Sequence, residues 1–281
     1  MQVVAIIPAR YASTRLECKL LLDLAGKSVL QRTYEQTCKA KYLTRNPAKQ
    51  SLASDADKKK VGTMQSMCSA NEDNSDIPIE YPKVIIATDD QRIFDHARSF
   101  GAEVFMTSLD HKSGTDRIAE LAEQNQDWQI IVNVQGDEPM INPDDIDKAI
   151  EPFLHDPLCQ MTSLYHCISD PDEINNPNNV KVVTNANNDA MYFSRAVIPF
   201  DRDQKQTNAK KHIGLYAYTR DTLLQLANLA QSELEKTEKL EQLRALDNGI
   251  KIKMLEVKSA PIGIDTVEDY QKARIILNQP L

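Results

Sequence analysis

Residues 130–139 read Ile130-Ile131-Val132-Asn133-Val134-Gln135-Gly136-Asp137-Glu138-Pro139. Four of the first five positions are β-branched and apolar, the pattern of a strand buried on both faces. The run then breaks directly into a glycine, two acids and a proline, a strand that ends in a loop. Such a strand belongs inside a sheet covered by helices, so this stretch predicts an α/β fold with a mainly parallel sheet.

The same rhythm recurs outward from it. Val3-Val4-Ala5-Ile6-Ile7 reads as a buried strand ended by Pro8, and Val84-Ile85-Ile86-Ala87-Thr88 as another. Ser28 is placed to cap a helix whose Val29, Leu30, Thr33 and Tyr34 follow a 3–4 spacing. Further helices are predicted through Ile93, Phe94 and Ala97, stopping near Gly101, and from Thr115 through Ile118, Leu121 and Ala122. Glu103–Met106 is a short strand. The second half is more mixed, with strand-like pieces at Met161–His166, Val180–Thr184, Met191–Ser194, Ile213–Tyr218 and Ile250–Val257. One long helix is predicted over Glu233–Asn248 with Gly249 as its stop, and a last helix after Asp265-Thr266.

The chain has 281 residues, 33 Lys plus Arg against 41 Asp plus Glu, and a net charge of −8. That sign excludes a general basic coat for nucleic acid, though not a local basic pocket. No apolar run approaches the ~18–20 residues of a membrane span. The N-terminal apolar stretch is short and has no basic residue before it, so it reads as a strand and not as an export signal. Cys18, Cys38, Cys68, Cys159 and Cys167 form no CxxC pair, which fits reduced thiols and a cytoplasmic location. From Leu43 to Pro82 the chain is polar and lacks periodicity. It reads as a mobile surface insertion in an otherwise single domain spanning 1–281.

Three loops carry candidate chemistry. The first, 8–19, holds Arg10, Arg15 and Lys19 with Ser13 and Thr14, cations and hydroxyls suited to a polyphosphate. It lacks the glycines of a Walker loop or of GxGxxG, and a merely solvated basic loop is the competing reading. The second is Gln135-Gly136-Asp137-Glu138, where carboxylates at a strand end suit Mg²⁺ on substrate phosphates, or simply cap a turn. The third is Gly263-Ile264-Asp265-Thr266, an acid at a strand end or a helix N-cap. Asp137 and Asp265 could meet on one face of the sheet as a metal site built from two loops.

The segments IIPARYASTRL (6–16), ATDD (87–90), HKSGTDR (111–117), IVNVQGDEP (131–139), NNVKVV (178–183), MYFSRAVIP (191–199), HIGLYAY (212–218), EKLEQLRAL (238–246) and GIDTVED (263–269) occur in a telling order. Together they resemble the 3-deoxy-manno-octulosonate cytidylyltransferases of Gram-negative bacteria over nearly the whole chain. The resemblance implies a Rossmann-like nucleotidyltransferase fold with a small antiparallel dimerisation lobe near 185–220. It implies a cytoplasmic homodimer that joins CTP to the sugar acid 3-deoxy-manno-octulosonate (Kdo) for lipopolysaccharide synthesis, with Mg²⁺ as cofactor. It also implies roles: Arg10, Arg15 and Lys19 hold the triphosphate, with Ser13 and Thr14 as hydrogen-bond partners. Asp137 and Asp265 hold the metal, Gln135 touches sugar or nucleotide, and Arg117 faces the nucleotide. Arg195, His212, Tyr216, Glu241 and Gln242 line the sugar-acid pocket. Read without the resemblance, His212 could be a hydrogen-bonded core residue, and Glu241 and Gln242 a solvated helix face.

The phosphate loop departs from the family's R-L-P-G-K-P and reads Arg15-Leu16-Glu17-Cys18-Lys19-Leu20. Cys18 replaces a glycine that permits a special backbone conformation. A Glu17 carboxylate about 4 Å from a phosphate would cost about 4 kcal/mol at an effective dielectric of ~20. A catalytically silent nucleotide-binding relative is therefore one alternative, and a cytidylyltransferase for sialic acid or an amino analogue of Kdo another. A glycosyltransferase using Asp201-Arg202-Asp203 as a DxD motif is a third.

Overall fold

The computed structural model describes residues 1–11, 16–44, 84–203 and 208–278. β1 (Val3–Ala9) is followed by a 3-10 turn at Lys19–Leu21, a small hairpin of β2 (Asp23–Leu24) and β3 (Lys27–Ser28), then α1 (Val29–Thr37) and α2 (Lys41–Thr44). β4 (Val84–Thr88), α3 (Gln91–Ser99), β5 (Glu103–Met106), α4 (Gly114–Gln124) and β6 (Ile130–Asn133) complete the first half. Next come α5 (Pro143–Ile150), α6 (Pro152–His155), β7 (Met161–Ile168), α7 (Pro171–Asn175), β8 (Lys181–Thr184) and β9 (Ala190–Ser194). β10 (Ala209–Thr219), α8 (Arg220–Asn228), α9 (Glu233–Glu238), α10 (Gln242–Asp247), β11 (Ile252–Glu256) and α11 (Val267–Asn278) end the chain.

The main sheet runs β11-β7-β10-β6-β1-β4-β5. Pairs β1–β6, β1–β4, β4–β5 and β7–β11 are parallel, and β10 alone on this path runs against its neighbours. The strand of residues 130–133 therefore sits centrally, and all four of its residues are buried. Alternation along the strands sends Ala5, Ile7 and Val132 into one apolar layer, and Val4, Ile6 and Ile131 into the other. Helices cover both layers, which is why these strands read as unbroken apolar runs.

Three expectations need correction. Pro8 does not end β1, which continues to Ala9. Pairing with β6 stops opposite Ile6, so the missing N–H of Pro8 removes no ladder bond on that side. The long helix expected over Glu233–Asn248 is two short ones, because Lys239 adopts a left-handed conformation with φ 55°. Its neighbours impose the break: the Glu238 carboxylate accepts from Ser194 and from the Arg195 amide, while Leu240 is buried. Gly249, at φ +75°, does stop the second helix. The expected insertion begins inside α2 at Leu43 and, beyond Thr44, lies outside the described residues.

The antiparallel part near 185–220 is a β8–β9 ribbon hung on β10, whose later half is a central strand of the main sheet. Lys181 fixes the ribbon: its buried ammonium donates to the carbonyls of Asn176, Asn179 and Arg195 at 3.1, 2.6 and 2.6 Å.

Candidate active site

The carboxyl ends of β1 and β6 meet at Gly136. A Cβ there would lie 3.2 Å from the Pro8 carbonyl oxygen and 3.5 Å from Leu20, so only glycine lets the loop lie this close. Thr33 on α1 donates its hydroxyl to the Gly136 carbonyl at 3.0 Å. From there the Asp137 carbonyl accepts from the Ile264 amide at 2.8 Å, which joins the two acidic loops through the backbone. Thr266 and Asp269 exchange capping bonds at the start of α11, so capping there falls to Thr266 and not to the Asp265 side chain. The Lys19 ammonium donates to Asp137 Oδ2 at 2.5 Å and to Asp265 Oδ1 at 2.9 Å. Burial disfavours its charge, but the two carboxylates outweigh that and raise its pKa above the ordinary lysine value. Three remote segments thus converge on one cation.

Beside them, Glu138 is deeply enclosed and its Oε2 has no partner. Burial, with Asp137 and Asp265 adding to it, pushes its carboxyl up to about 8. Among the described residues no three His, Cys, Asp or Glu side chains form a ready-made metal site. Two hard carboxylates gathered round one positive charge nevertheless fit a magnesium ion that takes its other ligands from water and phosphate.

Ser13, Thr14 and Arg15 lie outside the described residues. The two departures in this loop do have a structural outcome. Cys18 takes the left-handed conformation that the usual glycine serves, at φ 53°, and Glu17 is exposed. Arg10 donates to the carbonyls of His111, Lys112 and Ser113 at 2.8, 3.1 and 2.8 Å. Arg117, expected to face the nucleotide, is fully buried and bonded to Asp89 at 2.5 Å and to Thr107. These bonds tie the guanidinium to the loop after β4, and its buried Nε has no hydrogen-bond partner among the described residues.

The other end of the site is aromatic. β10 carries a bulge between Ile213 and Tyr216, and Ser163 Oγ on β7 spans it, bonded to the carbonyls of Ile213 and Leu215. Four residues along a regular strand span about 13 Å. The bulge instead brings the rings of His212 and Tyr216 to 5.5 Å, with Phe193 edge-on to His212 at 5.0 Å. His212 Nε2 lies 2.9 Å from Ser163 Oγ, and enclosure lowers its pKa to about 3, so the ring is neutral. A Cβ on Gly214 would touch Gln135, which places Gln135 against this bulge; its amide donates to Asn133. Glu241 accepts from Thr115 at 3.0 Å, and burial raises its pKa. Gln242 is buried at the start of α10. Arg195 donates from Nε to the Glu238 carbonyl and from Nη1 to the Pro177 carbonyl, at 2.9 and 3.1 Å.

Sequence reasoning missed Ser163, Thr115 and Asn133 as site residues, while Glu138 was read only as a member of the strand-end carboxylate pair. Of the three, Asn133, a lone amide in an apolar strand, carried a signal; Ser163 and Thr115 acquire meaning from neighbours far off in the chain.

Comparison with known proteins agrees with this geometry. The cytidylyltransferase family model matches residues 4–68 and 76–252. The 3-deoxy-manno-octulosonate cytidylyltransferase of Solibacter usitatus is 43% identical over 96% of this chain and 92% of its own length. That of Trichlorobacter lovleyi is also 43% identical, over 99% of this chain and all of its own. A solved structure of CMP:2-keto-3-deoxy-manno-octonic acid synthetase complexed with CTP superposes with a TM-score of 0.81 at 35% identity, each chain fully covered. With a bulged aromatic strand facing two carboxylate loops that close on one lysine, and with relatives this similar along its whole length, the chain belongs to the 3-deoxy-manno-octulosonate cytidylyltransferase family.

Proposed function

We infer that the protein transfers the cytidylyl group of CTP to Kdo, releasing pyrophosphate and supplying CMP-Kdo for lipopolysaccharide synthesis. The observation that carries this reading is the meeting of Asp137 and Asp265 on Lys19 at the strand ends, where an α/β sheet binds its ligands. A sugar hydroxyl attacks the α-phosphorus, a new P–O bond forms, and the bond to the β-phosphate oxygen breaks. Work of this kind is mostly positioning and electrostatics. Lys19 and Arg10 hold the triphosphate, with Ser13, Thr14 and Arg15 assigned to it by the family resemblance. Asp137 and Asp265 would hold Mg²⁺, which when bound neutralises phosphoryl charge and lowers the pKa of a nearby hydroxyl. Tyr216, Gln135, Glu241, Gln242 and a neutral His212 shape the sugar pocket. His212 is kept uncharged by its enclosure and so orients, without drawing the acid's charge to itself.

No helix among the described residues is long and apolar enough to cross a membrane. A cytoplasmic homodimer joined through the lobe fits Val197 and Phe200, both exposed there. The test is pyrophosphate release from CTP, Kdo and Mg²⁺, compared with other nucleotides and with sialic acid. Release with CTP and Kdo is expected; folded protein that releases none with any pair would overturn the reading.

A further inference from the structure

Under the functional reading above, the triphosphate claims the Lys19 ammonium and Mg²⁺ claims the Asp137 and Asp265 carboxylates. The structure bonds these groups to one another instead, at 2.5 and 2.9 Å. Each partner is anchored by its own backbone. Lys19 opens the 3-10 turn in which the Cys18 carbonyl accepts from the Leu21 amide at 2.8 Å, and Leu20 beside it is buried. The Ile264 amide donates to the Asp137 carbonyl at 2.8 Å and so fixes the spacing of the two acidic loops. The Lys19 side chain is only 16% exposed, so solvent and salt screen the contact less than they screen an ion pair on an open surface.

Two carboxylates gathered this closely repel each other. Glu138 follows Asp137 in the same loop, and its enclosed Oε2 has no partner, which adds a third acidic side chain beside them. A single ammonium draws two of these acids onto one atom, the part that a divalent cation plays for hard oxygen ligands. Lysine suits an exchange, because it is a compact point charge on a flexible stem. A metal ion arriving alone must break both bonds and offers the displaced ammonium no anion. A metal ion arriving on a triphosphate brings the anion that receives that ammonium.

We propose that Lys19 is a positioning residue for the metal ligands: it gathers Asp137 and Asp265 and releases them when a triphosphate takes its ammonium, so that metal and nucleotide enter as one unit. This rests on the functional reading above and adds to it an order of binding. Metal and nucleotide then strengthen each other's binding through Lys19, while the metal alone binds weakly.

The experiment titrates the protein with Mn²⁺, as a probe for Mg²⁺, by water-proton relaxation, with neither CTP nor Kdo present. The unaltered protein should bind Mn²⁺ more weakly than about 1 mM. Lys19→Met and Lys19→Gln should bind it at least about tenfold more tightly, and Lys19→Arg should stay as weak as the unaltered protein. Asp265→Asn added to Lys19→Met should abolish the gain. Melting gives a second readout: in chelator Lys19→Met should melt below the unaltered protein, and Mg²⁺ should restore it while leaving the unaltered protein unmoved. Equal Mn²⁺ affinity in the unaltered and folded Met proteins overturns the proposal. If neither neutral variant folds, the unaltered protein decides: a dissociation constant below about 1 mM overturns the exchange and a larger one supports it. No readout depends on turnover. A protein that releases no pyrophosphate would therefore end the functional reading and leave the Lys19 exchange to be judged by Mn²⁺ alone.

Discussion

The two ends of the site handle charge in opposite ways. At the end proposed for phosphate, Lys19 pairs with Asp137 and Asp265 in a partly open loop cluster. At the end proposed for the sugar, His212 loses its charge, Tyr216 has its pKa raised well above the ordinary phenol value, and hydrogen bonds through Ser163 and Thr115 hold the geometry. The contrast follows from position. Loops at strand ends can keep water and counter-charges near an ion, whereas side chains on a bulged strand between β6 and β7 are walled in by protein and shed charge. On the proposed function, a triphosphate would then meet ready-made charge, and the sugar shape and hydrogen bonds.

The sharpest break in that contrast is removal of charge at the phosphate end. Asp137→Asn or Asp265→Asn should lower kcat by at least about a thousandfold, roughly 4 kcal/mol of barrier, with the fold retained by circular dichroism. Near-normal turnover in both variants would mean that paired charge is not what this end contributes.

A smaller effect tests the neutral end. His212 has a folded pKa of about 3 against an ordinary 6.5, so between those values the unfolded chain binds more protons than the folded one. This part of the stability is complete above about pH 6.5 and is lost as pH falls toward 3. Each pKa unit is worth ~1.4 kcal/mol. In urea titrations the unaltered protein should lose about 1–2 kcal/mol more than His212→Phe between pH 7 and pH 4.5. Parallel pH profiles would show that the ring is charged in the fold.

The smallest expected change refines the phosphate end. Cys18→Gly relieves a left-handed side chain and should raise the melting temperature by a few degrees, about 1 kcal/mol, with turnover retained. A lower melting temperature would show that the thiol's contacts outweigh the backbone relief.

Much of the frame was legible beforehand because periodicity reports burial directly. The runs at 3–7, 84–88 and 130–134 became the parallel core, and Ser28 caps α1 through the amide of Gln31. The acidic loops were legible as strand-end carboxylates, but their meeting was not: the Ile264 amide reaches Asp137 across more than a hundred residues. The Glu233–Asn248 segment misled because its amphipathic pattern is continuous, and the bond from Ser194 to Glu238 that turns the chain lies 44 positions away. The partners of Arg117 were hidden for a similar reason, since nothing local reveals that Asp89 and Thr107 bond it.

Sequence alone determined the α/β class, the strands that form the core and the residue types at each strand end, since these depend on local alternation and on chemistry carried by single positions. Tertiary structure decided that Lys19 gathers two distant carboxylates and that the β10 bulge brings His212 onto Tyr216. Electrostatic pairing and desolvation depend on distances through space, and only the folded chain sets those distances.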